Sequence, residues 1–261
     1  MSYDPNEYRR AADESNYTQL QQKGIVSSKL HSINDETNEN VYYTPQETEA
    51  ARTASFINKV YGLMTLGLFL TAFIAHSAFH YIPIERLARI MMPCIIAEFI
   101  IVMVLSFAAT KLSPTAALLC FVGYAALNGI SLSTIFYAYR AGSIAQAFFI
   151  TGGTFGLMSL YGLVTKRDLT SLGNLLVMAL LGIIIAGIVN IFLKSTGLDL
   201  ILSILGVLIF VGLTAYDTQK IKKINDMGIN HTGLAIIAAL SLYLDFINLF
   251  LYILRLFGRR K

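Results

Sequence analysis

Charged residues are scarce in this sequence. Asp, Glu, Lys and Arg together make up 14% of 261 residues, against about 25% in an ordinary soluble domain. That shortage, with 55% hydrophobic residues and a mean hydropathy of +0.60, excludes a soluble fold and indicates a polytopic helical membrane protein. Cysteine is nearly absent. Cys94 and Cys120 both lie in apolar runs, and no CxxC or Cys/His spacing is present. No cysteine metal site is suggested, and both thiols read as small buried hydrophobes. No basic stretch followed by a short apolar run opens the chain, so no cleaved signal peptide is expected. There is no P-loop, HExxH, EF-hand loop or nucleophile elbow, which leaves the common phosphate-binding, zinc-hydrolase and serine-hydrolase chemistries without their residues. His76 and His80 close the first apolar run and His231 falls in a loop; none has a ligand-like companion.

The few charges are unevenly placed. Residues 1–56 hold nine acids and five bases, so the positive balance lies in the apolar part. The pI near 9.0 therefore reflects basic loop ends facing lipid headgroups, and no nucleic-acid partner is expected. Residues 1–50, rich in Asn, Gln, Ser, Glu and Tyr, read as a polar, acidic, mostly disordered tail, with Pro45 ahead of a short amphipathic lead-in. Residues 51–261 form the membrane domain.

Seven apolar stretches follow: 57–79, 90–109, 114–138, 143–163, 173–193, 198–219 and 233–256. Each is near the ~20 residues that a helix needs to cross a bilayer. Barrel strands would be about 10 residues long and alternating. The connectors are short and carry the breakers, from Pro83 with Glu85 and Arg86 to the turn at Asn225–Thr232, so sequential spans are antiparallel neighbours. Gly152 and Gly156 in the fourth span, and Gly182, Ala186 and Asn190 in the fifth, have the small-residue spacing that lets membrane helices approach closely. With the N-terminus inside, eight basic residues flank the spans on each side; the positive-inside rule ties and leaves orientation open.

The chemistry lies in the last two spans. Asp217 sits in LIFVGLTAYDTQKI and Asp245 in ALSLYLDFINLFLY. A carboxylate there costs roughly 2.5–3.5 kcal/mol on insertion scales, so each is a functional-site candidate. Ser241, Asp245, Asn248, Tyr252 and Arg255 step by four, three, four and three along the seventh span. They form one polar stripe that must face protein or a watery cavity. Ser203, Gly206, Phe210, Thr214 and Asp217 share a face of the sixth span. The midpoint of the aspartates is residue 231, and the turn centres near 228 or 229. A symmetric hairpin then sets them within roughly 4 Å of one height, within reach of each other. Two touching carboxylates in a low-dielectric site cannot both ionise cheaply, so a shared proton makes the pair a switch. Hard oxygen ligands could also hold Ca²⁺ transiently on Asp217 and Asp245. A third acid, Glu98 in the second span, either extends a cation path with Ser241 and Asn248 or bonds a neighbouring helix. Tyr124, Asn128 and Ser131 lie on one face of the third span and read as interhelical hydrogen-bonding groups.

AYDTQKIKK at 215–223, ALSLYLDFINLFLYILRLFG at 239–258, TKRDL at 165–169 and Gly-Ile-Ser-Leu-Ser at 129–133 resemble the signatures of the Bax inhibitor-1, or transmembrane Bax-inhibitor-motif, family. The likeness covers about 55–258, and the TKRDL form is similar to bacterial members. It implies seven helices, with two three-helix layers around a central C-terminal helix, a cytoplasmic N-terminus and an inner-membrane location. It also implies a pH-sensitive calcium leak governed by an aspartate pair, here Asp217 and Asp245, with Glu98 as the acid of the second helix. Some bacterial members carry an arginine eleven residues after that glutamate; Ala109 stands there in this chain, and Lys111 is the nearest latch cation.

The leading expectation is thus a pH-gated Ca²⁺ leak channel, not an enzyme and without a cofactor, working with the bilayer, Ca²⁺ and H⁺. A regulatory protein that binds a membrane protease or cell-death factors is a compatible alternative. A di-aspartyl intramembrane protease is remote: Tyr216-Asp217 fits half of its signature, but Leu242-Tyr243-Leu244-Asp245 replaces Gly-x-Gly-Asp.

Overall fold

The structure, a computed structural model, describes residues 45–107, 112–226 and 232–261. The tail before residue 45, Ala109, Lys111 and His231 lie outside the described residues. Phe56–Lys261 forms one compact unit.

The helices are α1 (Pro45–Tyr81), α2 (Ile84–Phe107), α3 (Pro114–Leu132), a single turn α4 (Ile135–Ala138), α5 (Ala141–Val164), α6 (Thr170–Leu193), α7 (Thr196–Asp226) and α8 (Thr232–Phe257). Among the described residues, seven segments are long and apolar enough to cross a membrane. No named strand occurs among the described residues; one isolated bridge joins Tyr139 and Arg260. The protein is a multi-pass helical membrane protein.

Burial sets the layout. The apolar window of α8 is 67% buried and that of α6 only 6%. α8 carries a polar stripe that lipid cannot satisfy and belongs inside the bundle, whereas the more apolar α6 can face lipid, where Leu175, Met178, Ile185 and Phe192 are exposed. α2 packs on α3, and α5 and α6 both pack on α7. α8 runs between the two sets and touches α3, α5 and α7. It also reaches α1 through Tyr243 and Thr71. This is the expected pair of three-helix layers around a central C-terminal helix.

Three details differ from the sequence reading. The second span begins at Ile84, not near residue 90. The Pro83 carbonyl accepts hydrogen bonds from the Arg86 and Leu87 amides, both at 3.0 Å, and Leu87 is buried. Glu85 then sits in the first turn, where a carboxylate complements the helix dipole. The third span breaks after Leu132. Ser133 Oγ donates to the Ile130 carbonyl at 2.6 Å and Thr134 Oγ1 to the Ser131 carbonyl at 2.8 Å; such local bonds compete with the helical ladder. The C-terminal residues pair across this break, Arg140 N donating to Arg259 O at 3.1 Å and Lys261 N to Ala138 O at 3.0 Å.

The third difference concerns glycine. A Cβ at Gly152, Gly156 or Gly182 would meet nothing within 4 Å. The GxxxG pair makes no close contact, and Gly182 with Ala186 lines an apolar groove of about 380 Å³. The tight approaches are elsewhere. At Gly162 a Cβ would lie 2.4 Å from the Ala215 carbonyl oxygen, and at Gly173 it would lie 2.4 Å from the Tyr216 ring. At Gly129 it would lie 2.8 Å from the Thr71 carbonyl oxygen. Backbone atoms cannot swing aside as a side chain can. Gly162→Ala should therefore lower stability by about 1–3 kcal/mol, as overpacking does, while Gly152→Ala should be nearly neutral. Thermal melting of the detergent-purified variants measures the difference.

Candidate functional site

The central helix α8 presents three different faces. Phe246 and Phe250 meet Phe148 of α5, and Phe246 also meets Phe155, with ring centroids 5.4–6.4 Å apart. Tyr243 points towards α1 and α3, edge-on to Phe121 and Tyr124 at 5.8 Å. The polar stripe Ser241, Asp245, Asn248 and Tyr252 turns to α6 and α7 across a cavity of about 440 Å³. On the α7 side Phe210, Leu213, Tyr216, Asp217 and Lys220 line the cavity. Phe210 stacks on Tyr252 at 5.9 Å, and Gly206 makes room for that ring. Thr214 Oγ1 and Ser203 Oγ donate to carbonyls of their own helix, Phe210 and Asp199, at 2.7 Å. The stripe ends at Arg255, which pairs with Asp199 at 3.4 Å and lies 5.5 Å from the centre of the Tyr252 ring.

Both aspartates line this cavity, but no hydrogen bond joins them. Asp217 Oδ2 accepts from Ser241 Oγ. Asp245 is 5% exposed, and its Oδ2 is buried without any hydrogen-bond partner. The hairpin argument explains the change. α7 ends at Asp226 and α8 begins at Thr232, which centres the turn on residue 229. That centre sets Asp217 level with Ser241, leaving Asp245 about one turn, roughly 6 Å, further along the axis. The expected direct contact is thus replaced by a serine bond to one carboxylate and an orphan oxygen on the other. Asn248 donates its amide to the Leu244 carbonyl at 2.8 Å, which leaves its carbonyl oxygen available to the cavity.

Glu98 does not line that cavity. It accepts from Ser131 Oγ at 2.6 Å and from Asn128 Nδ2 at 3.4 Å. Asn128 Oδ1 accepts from the Tyr243 hydroxyl at 3.2 Å. That hydroxyl lies 2.7 Å from Thr71 Oγ1, which donates to the Ala125 carbonyl at 2.9 Å. Glu98 therefore belongs to a polar network on the opposite side of α8. Of its two sequence readings, this is the bond to a neighbouring helix.

Around Asp217 the helix is held tightly. Gln219 clamps the 165–169 loop, its Oε1 accepting from Leu169 N at 2.9 Å and its Nε2 donating to Arg167 O at 2.8 Å. Lys222 Nζ donates to Leu163 O at 2.8 Å and so satisfies a carbonyl at the C-terminal end of α5. Lys223 pairs with Asp168 at 2.6 Å. Tyr61 OH lies 3.0 Å from Thr218 Oγ1, tying α1 to α7. Segments 215–223 and 165–169, noticed separately in the sequence, are two halves of one contact.

The family described as "Inhibitor of apoptosis-promoting Bax1" matches residues 53–261. The chain belongs to this Bax inhibitor family. It is 47% identical over 216 residues to the inner membrane protein YbhL of Escherichia coli K12, covering 79% of this chain and 92% of that protein. An uncharacterised protein of Borreliella burgdorferi is 44% identical over 226 residues, covering 84% and 97%. An uncharacterised membrane protein of Streptococcus pyogenes serotype M3 is 40% identical over 231 residues, covering 85% and 99%.

In this Bax inhibitor family member, then, Asp217, Ser241, Asp245 and Asn248 come together and Glu98 stands apart. Among the described residues no group of three His, Cys, Asp or Glu side chains is arranged to hold a metal. Any cation in the cavity would be held by two carboxylates and neutral oxygens. Tyr216, Lys220 and Gln219 were missed as site residues. Their signal was their place in the 215–223 segment, one to three residues from Asp217.

The loop carboxylate gives a control. The Lys223 ammonium, then the Thr170 hydroxyl and amide, hold the exposed Asp168 carboxyl well below the usual carboxylate range. A depressed carboxylate contributes stability that is present above its unfolded pKa, about 3.9, and is lost as pH falls through the folded value. Both lie below pH 5. Asp168→Asn should therefore leave any change of melting temperature between about pH 5 and 8 superimposable on that of the unmodified protein, which parallel melting series would check.

Proposed function

We propose that this protein is a pH-sensitive leak for calcium or a similar cation, governed by Asp217 and Asp245. The observation that carries the reading is Asp245, whose buried Oδ2 has no partner and which lines a cavity together with Asp217, Ser241, Asn248 and Tyr252. A buried carboxylate oxygen with no donor is costly and calls for a proton or a cation. Carboxylate, hydroxyl and amide oxygens are the ligands that hard divalent cations take. Protons and cations then compete for one pair of acids, which makes the leak pH-sensitive. On this reading the chain is a channel and not an enzyme, needs no cofactor, and has the bilayer, Ca²⁺ and H⁺ as its partners. Its N-terminus is cytoplasmic and its membrane is the bacterial inner membrane, in keeping with the name of the Escherichia coli relative. The family description, an inhibitor directed at a cell-death protein, favours a second and compatible reading, in which the protein regulates other membrane proteins by binding them.

The test is Ca²⁺ flux into liposomes holding the purified protein, followed from about pH 5 to 8. The unmodified protein should show a flux that changes with pH. Asp217→Asn and Asp245→Asn, checked for folding by gel filtration, should each flatten that curve, because an amide keeps the size of the acid but does not titrate in this range. Variants that keep the full pH curve would make the pair structural.

A further inference from the structure

We propose that Lys220, which lines two neighbouring cavities, is a tethered competitor for the cation at Asp217. The inference rests on the cation reading above and adds the group that weakens the site. Beside the 440 Å³ cavity lies a smaller one of about 80 Å³, formed by Ile221, Ile224, Leu234, Ile237 and Ala238 with Asp217, Lys220 and Ser241. Its apolar walls run towards the end of the bundle, where α7 closes at Asp226 and α8 opens at Thr232. Only Asp217, Lys220 and Ser241 line both cavities. The bond from Ser241 to Asp217 closes the wall between them, and Lys220 borders it on both sides.

The basic residues after Asp217 are not equivalent. Lys222 is committed to the Leu163 carbonyl and Lys223 to Asp168. Lys220 makes no hydrogen bond or ion pair among the described residues, and it is exposed. Its place three residues after Asp217 puts it one turn away on the same helix face. An ammonium on a flexible four-carbon stem can reach back to a carboxylate and swing away again. A cation entering through the smaller cavity meets this charge before it meets Asp217. Lys220 therefore opposes the charge of Asp217 from one helical turn away and repels an ion that would bind there, so affinity and leak are both held down. Ser241 supplies the matching neutral donor, and Asp245 lines only the larger of the two cavities.

The experiment uses Tb³⁺ as the probe with the full-length protein in detergent. The chain has no tryptophan and 14 tyrosines, and Tyr216 and Tyr252 line the larger cavity, so tyrosine-sensitised Tb³⁺ luminescence reports binding there. Lys220→Gln should bind Tb³⁺ about two- to fivefold more tightly than the unmodified protein, the range expected for one partly solvated charge. Lys220→Arg should restore the weaker binding. The gain should vanish when Asp217→Asn is added. Liposome Ca²⁺ flux should rise in Lys220→Gln by a similar factor. Equal affinity in Lys220→Gln, a gain that survives Asp217→Asn, or no Asp217-dependent Tb³⁺ binding in either form would overturn the proposal. If Lys220→Gln tightens Tb³⁺ through Asp217 while no form passes Ca²⁺, the competitor stands and the leak reading falls. If Ca²⁺ flux is present but indifferent to Lys220, the competitor alone falls.

Discussion

Lipid offers no hydrogen bonds, and the rest of this structure follows from that. Every polar group carried into the bilayer must find its partner inside the bundle. α8 carries such groups on two of its faces, and it is the most buried of the seven spans. Its polar groups are sorted by face. Tyr243 joins the network that holds Glu98, Asn128 and Thr71. Ser241, Asp245, Asn248 and Tyr252 surround the cavity. The third face is aromatic and seats on α5. A helix with polar groups on two faces cannot sit at the lipid boundary, so the central position of α8 is a consequence of its sequence.

The second constraint is mechanical. Asp217 is useful only at a fixed height, and α7 is fixed by contacts that leave little slack. Gly162 brings α5 against the Ala215 carbonyl, and Gly173 brings α6 against the Tyr216 ring. Gln219 then grips the loop joining those two helices, while Thr218 bonds to Tyr61 of α1. Five consecutive residues, 215–219, thus contact four helices and a loop, with Asp217 at their centre bonded to Ser241 of α8. A carboxylate placed in a membrane needs such support, because a small rotation of α7 would turn it towards lipid.

Much of this was legible in the sequence. Length and uniform apolarity located seven spans, and the stripe from Ser241 to Arg255 marked the inward face of α8. What stayed hidden has physical reasons. Hairpin symmetry about residue 229 sets Ser241 opposite Asp217, and the offset of the aspartates is twice the distance from that centre to their midpoint, so the expected roughly 4 Å was too small. Glycine spacing says where a close approach is possible, not where a partner fills it. Gly152 and Gly156 face open space, whereas the isolated Gly162 and Gly173 each meet a neighbour. The side of α8 that Glu98 approaches depends on how α2 and α3 pack. The clamp of Gln219 on residues 167–169 spans about fifty positions of chain and leaves no local pattern.

The arrangement of donors bears on how the site can act. A serine has one hydroxyl hydrogen, and Ser241 spends it on Asp217. Asp245, one turn further along, gets nothing, and its Oδ2 is closed off from water. The two acids are therefore unequal before any ion arrives. Asp217 has a neutral donor beside it and a lysine within one helical turn, while Asp245 depends on whatever enters the cavity. A pair of touching carboxylates would instead have shared a proton symmetrically, and either acid could have answered a change of pH. Inequality gives the site an order of events in the proposed leak. The proton or cation that neutralises Asp245 arrives in a cavity whose other acid is already satisfied. In that proposal, opening towards the end of the bundle requires that Ser241 and Asp217 part and that Lys220 move aside. The serine, more than either aspartate, decides which carboxylate is free.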